Sequence, residues 1–125
     1  MTPAAFRRIA LGMQAAVEGS HMGHPDFRVN NRIFASLHDG DRFGMVKLTP
    51  EQQHRCLQEH SQTFAPESGA WGRAGCTRVH LASADEEAVG EAMTLAWQNV
   101  VSKTSKNTAG ARKKKSGARR RSSKP

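Results

Sequence analysis

The sequence predicts an α+β domain, with one antiparallel sheet and helices packed on one side of it, followed by a separate cationic segment. Three observations predict this. Apolar residues recur at three- and four-residue spacing near both ends of the first hundred residues, and at two-residue spacing in between. Turn-forming pairs divide the alternating runs at short intervals. Hydrophobic residues then almost vanish: from Ser102 to Pro125 the set is represented only by Ala109, Ala111 and Ala118. A chain of 125 residues suits one domain, and the part before Ser102 can close one modest core. The expected boundaries are 1–101 for the domain and 102–125 for a disordered Lys/Arg-rich tail.

The elements follow in order. Thr2 can cap a first helix and Pro3 fits its first position, where a missing N–H costs nothing. Phe6, Ile9, Ala10, Met13 and Val17 form its apolar stripe, and "EGSHMGHPD" ends it. A short strand is expected at Phe27–Val29. Asn30-Asn31 can take the positive φ that a two-residue hairpin turn requires. In Arg32–His38, alternation puts Ile33, Ala35 and Leu37 on one face and Phe34 on the other. "DGD" makes the next turn. Phe43–Leu48 puts Phe43 and Met45 on one face, Val46 and Leu48 on the other. Thr49, Pro50 and Gln52 make a capping box for a second helix reaching about His60. A loop follows, with a short strand near Trp71. Thr77, Val79 and Leu81 alternate inward, with Arg78 and His80 outward. Ser83 with Glu86 reads as a capping box for the last helix, whose stripe is Val89, Ala92, Met93, Ala96 and Val100. The resulting order, α-β-β-β-α-(β)-β-α, calls for helices layered on one antiparallel sheet.

Charge divides as hydrophobicity does. The chain has 19 Lys and Arg against 11 Asp and Glu, a net +8. Ten of the cations fall in 102–125: Lys103, Lys106, Arg112, Lys113, Lys114, Lys115, Arg119, Arg120, Arg121 and Lys124. No acid accompanies them. Residues 1–101 therefore keep nine cations and eleven acids, a net −2. The domain's net charge gives no support for a basic DNA-binding body, but the tail does call for a polyanion. Clustered Lys and Arg spaced by Gly, Ala and Ser resist collapse and can follow a phosphate backbone, releasing condensed counterions as they do. With no aromatic in the tail to stack on bases, little sequence preference is expected.

Other candidates read more plainly. Arg28, Arg32, Arg42 and Arg73 lie on or beside predicted strands and turns. If the turns act as wings, Arg32 and Arg42 could meet phosphates, although Asp39 and Asp41 oppose this in the second turn. Lys47 and Arg78 fit solvated positions on a half-exposed sheet. His21 and His24 form an HxxH pair, short of the three or four ligands zinc takes, so His24 is read as a hydrogen-bonding structural residue and no metal is expected. Trp97 suits the core edge, while Trp71 could seal the core or act as a stacking platform. Cys56 and Cys76 match no metal spacing and no CxxC pattern and read as reduced thiols. There is no nucleophile elbow, no phosphate-binding Gly loop and no paired acidic site, so no catalytic residue, no cofactor and no enzyme activity are expected. An enzyme would need a concave pocket around His24, Arg73 and Trp71. Neither a signal peptide nor a membrane-spanning stretch is read.

The phrases "GSHMGHPDFRVNNRIFASL", "VKLTPEQQ" and "FAPESGAWGRAGCTRVHLA", in that order and spacing, resemble the MmcQ/YjbR family. The resemblance covers roughly Phe6 to Val100 and leaves the tail outside. Its phrases fall on His24, Phe27, Arg28, Phe34, Trp71, Gly72, Arg73, Gly75, Thr77 and Leu81. It implies an α+β fold of CyaY/frataxin-like type with a double-wing arrangement, and a DNA-binding role. It brings no catalytic residues.

Together these readings lead to one expectation. The protein is a non-enzymatic nucleic-acid binder, with DNA ahead of RNA. Its tail supplies most of a largely sequence-independent affinity, and the sheet or wings add contacts. It would be cytoplasmic, with nucleoid association, and would have no membrane partner and no small-molecule substrate. The alternative is a protein- or small-ligand-binding module that the tail only localises.

Overall fold

The computed structural model describes residues 1–38 and 42–115, with side chains as far as Lys103. It shows an α+β domain with a six-stranded antiparallel sheet and four helices. Along the chain come α1 (Pro3–Leu11), β1 (Val17–His21), β2 (His24–Val29), β3 (Arg32–His38), β4 (Phe43–Lys47) and α2 (Pro50–Glu59). Then follow β5 (Phe64–Pro66), α3 (Gly69–Arg73), β6 (Cys76–His80), a 3-10 turn at Leu81–Ser83 and α4 (Glu86–Lys115). The strand order in the sheet is β1-β2-β3-β4-β6-β5.

The helix starts obey their capping chemistry. Thr2 accepts from the Ala5 N–H, and Thr49 and Gln52 make both halves of the α2 capping box. The last helix departs from expectation. Ser83 lies in the 3-10 turn and donates to the Gln62 carbonyl, so no Ser83–Glu86 box forms. The chain instead enters α4 from Asp85, whose N–H donates to Thr63 Oγ1.

One face of the sheet carries the core. Phe27, Val29, Phe34, Ala35, Leu37, Val46 and Val79 are buried beneath α4, whose stripe Val89, Ala92, Met93, Ala96 and Val100 is buried as its spacing predicts. Phe6 of α1 completes the core by lying against Gly44. A Cβ at Gly44 would stand 2.5 Å from the Phe6 ring, so only glycine admits the phenyl there. Trp97 is partly buried, and its indole N–H donates to Gln14 O.

Three elements differ from the sequence reading. The first helix stops at Leu11, and Val17, expected on its stripe, opens the unpredicted edge strand β1 with 58% exposure. The strand near Trp71 is absent. β5 lies earlier, at Phe64–Pro66, and Trp71 sits in α3. In β3, Arg28 pairs with Ile33 but Phe27 pairs with Ala35, so the ladder bulges at Phe34. A bulge turns an extra residue out of strict alternation. Phe34 therefore joins Ala35 and Leu37 in the core, and Ile33 does not.

The backbone of α4 runs past the expected Val101 boundary to Lys115. Within 102–125, where disorder is expected, side chains are described only for Ser102 and Lys103, and 116–125 lie outside the described residues altogether. The "DGD" turn also lies outside them. Among the described residues, no helix is long and apolar enough to cross a membrane.

Candidate functional site

The second face of the sheet has no helix laid across its centre. Period-two geometry sends the residues between the core positions out to this side. Strand pairing sets His21 opposite His24, Asp26 opposite Ser36, Phe43 opposite His80, Met45 opposite Arg78, and Lys47 opposite Cys76. With His38, opposite Phe43, and Arg28, opposite Val17, four histidines and three cations share one surface.

At its β1–β3 end stands a buried carboxylate. Asp26 is fully buried, and Arg28 clasps it with Nε donating to Oδ1 at 2.7 Å and Nη2 to Oδ2 at 2.9 Å. His21 Nδ1 lies 2.8 Å from the same Oδ2. This fork-on-carboxylate geometry is the strong form of the ion pair. The Arg28 guanidinium holds the Asp26 carboxyl below its ordinary value against the opposing effect of burial. Arg28 is held above its own for the same reason. Beside them, His38 packs against His24 at 4.9 Å between ring centroids, and its Nε2 is 2.5 Å from Ser36 Oγ. Burial first, and then the neighbouring His24, lower the His38 pKa.

At the β4–β6 end, the Arg78 guanidinium lies 4.8 Å over the Phe43 ring and donates from Nη2 to Glu67 Oε1 at 2.9 Å. Near it, α3 brings Trp71 to the rim. The close approach of Gly72 to the Glu67 carbonyl fixes that helix, since a Cβ at Gly72 would fall 1.7 Å from the oxygen. Between the two ends runs a trough of about 460 Å³, lined by Ile33, Ser36, His38, Met45, Lys47 and Trp71 among others.

The residues singled out from sequence are only partly gathered here. Arg28 faces the site but is spent on Asp26. Arg32 is exposed at the start of β3, Arg42 lies just before β4, and Arg73 is exposed at the end of α3. These three are not brought together with the trough's lining. Of the ten cations in 102–125, only Lys103 has a described side chain, and it is exposed. The pocket imagined around His24, Arg73 and Trp71 exists in altered form, with His21 and His38 in place of His24 and Arg73. The structural hydrogen bond assigned to His24 belongs to His21. His21, His24 and His38 converge, yet His21 Nδ1 and His38 Nε2 are engaged by Asp26 and Ser36. Among the described residues, no group of three His, Cys, Asp or Glu side chains is placed to hold a metal ion. Cys56 and Cys76 are free, and burial raises both thiols.

Comparison with known proteins bears on the fold. No family model matches the chain, and no curated protein matches it. Among solved structures it is similar to Deinococcus radiodurans protein DR2400, described by a DUF419 domain. The two share 19% identity over 79% of this chain and 78% of that one, with a TM-score of 0.66. That likeness supports the α+β architecture.

Proposed function

We propose that the protein associates with nucleic acid, DNA ahead of RNA, through the cations of segment 102–125, and that its folded domain adds only minor contacts. The observation that carries this reading is the segregation of charge: ten cations and no acid in 102–125, against a net −2 in 1–101. Such a segment gains affinity by displacing counterions from phosphates and needs no fixed geometry to do so. The sequence phrases resembling MmcQ/YjbR proteins agree with this role, and DUF419, the domain of the structural neighbour, is related to that family. The open face fits a secondary part. Arg28 and Arg78 already hold carboxylates, which leaves exposed Arg32 and Arg73 as the domain's contribution alongside Arg42. The reading places the protein in the cytoplasm, with nucleoid association, and assigns it no catalytic step and no cofactor.

The test is fluorescence polarisation of a labelled short duplex, at two salt concentrations, with the full chain and with a variant carrying Gln at the ten cations of 102–125. The expected loss at low salt is about a hundredfold or more, with the wild-type affinity falling steeply as salt rises. Equal affinity of the two proteins overturns the proposal.

A further inference from the structure

The trough on the open face has a chemistry that phosphate binding by segment 102–125 does not use. Ile33 and Met45 supply its apolar strand residues. Four large hydrophobic side chains stand exposed among the described residues, and two of them, Met22 at 91% and Trp71 at 69%, line this one concavity. Apolar groups gathered at a concave site mark a ligand surface more often than do the same groups scattered singly.

Lys47 supplies the polar anchor. The cations Arg7, Arg8, Arg28 and Arg78 each hold a carboxylate. The Lys47 ammonium makes no ion pair or hydrogen bond among the described residues, although it lines the trough. Glu67, the carboxylate in the lining, is already bound by Arg78. Of the other polar side chains in the lining, Ser36 is engaged by His38 Nε2 and His21 Nδ1 by Asp26, and the Ser68 hydroxyl is left as a neutral group. What is left is an apolar slot with a single unmatched positive charge.

We propose that this trough binds a small flat aromatic carboxylate, its ring against Trp71 and Met45 and its carboxylate on Lys47. The volume of about 460 Å³ accommodates two fused rings. A carboxylate fits better than a phosphate because no arginine lines the trough and one ammonium balances one negative charge. Burial, and then the neighbouring His24, lower the His38 pKa, which disfavours a second cation beside Lys47.

Calorimetric titration of the full chain tests this with naphthoate, naphthamide and naphthyl phosphate, alongside chemical shifts of the Met22 and Met45 methyls and the Trp71 indole N–H. Naphthoate should bind once per chain, shift those three signals, and bind about tenfold more tightly than the amide, a difference of about 1.4 kcal/mol. Lys47→Met should abolish that preference while leaving the amide's affinity unchanged. Trp71→Ala should weaken both ligands about tenfold, in line with loss of an aromatic stacking partner. Duplex binding should be unaffected in either variant, which separates this site from the phosphate-binding reading. The proposal is overturned if naphthoate fails to bind, if it shows no preference over the amide, if the preference survives Lys47→Met, if the phosphate binds more tightly than the carboxylate, or if the shifts fall elsewhere.

Discussion

The two faces of the sheet grow from the same strands and solve different problems. On the covered face, Phe27, Phe34, Leu37, Val46 and Val79 pack under α4 with essentially no exposure. Their requirement is volume and shape, and the aliphatic stripe of α4 meets it. On the open face, Asp26 and Ser36 find partners in Arg28, His21 and His38, while Arg78 reaches Glu67 through Nη2 and leaves its buried Nε without a partner among the described residues. The first face holds the domain together. The second keeps a concave surface from collapsing by pairing its polar groups internally, and it leaves Lys47 and Trp71 for something else.

Substitutions on either side can break or sharpen that contrast. The largest effect belongs to the covered face: Phe27→Ala should cost about 3–5 kcal/mol, read by chemical denaturation. A loss below about 1 kcal/mol would mean that the covered face is not the seat of stability. Next comes Asp26→Asn, which strips the charge from a buried, triply bonded carboxyl and should cost about 2 kcal/mol. The same variant tests the acid limb. Because the folded-state pKa of Asp26 is lowered, its contribution is present above the ordinary 3.8 and is lost as pH falls below it. Wild type should therefore lose melting temperature through that window more steeply than Asp26→Asn does.

A smaller effect lies at His38. Its folded pKa is also lowered, so the unfolded chain takes up the proton first, and stability should start to fall as pH drops through the ordinary 6.5. His38→Gln should flatten the melting profile between that pH and the onset of the Asp26 limb, and an unchanged slope there would refute the assignment. The smallest effect is expected at Phe43, half-buried on the open face beneath Arg78. Phe43→Ala should cost about 1 kcal/mol, well below Phe27→Ala.

The covered face was legible in the sequence because periodicity reports burial. The stripe of α4, the inward run Thr77, Val79 and Leu81, and the Thr49–Gln52 capping box all stand where spacing puts them. Periodicity gave no warning of β1, an edge strand in which Val17 is the one large apolar residue and solvent covers much of the rest. Nor could it place the bulge at Phe34, which depends on the register with β2. The open face was legible only in pieces. Alternation sends Met45, Arg78 and His80 outward, but which strands lie side by side is a matter of long-range pairing. The His21–Asp26–Arg28 cluster and the Lys47–Trp71 trough are products of that pairing. The segment 102–125 was the reverse case, since its composition alone states its charge.

One side chain links the two halves of the domain more tightly than its surface character suggests. The Gln53 amide of α2 donates to both Gly72 O and Cys76 O, each at 3.0 Å. It acts as a latch that gives α2 leverage over the mouth of the trough. Anything that grips or rotates α2 from outside would pull at once on α3, through Gly72, and on the start of β6, through Cys76.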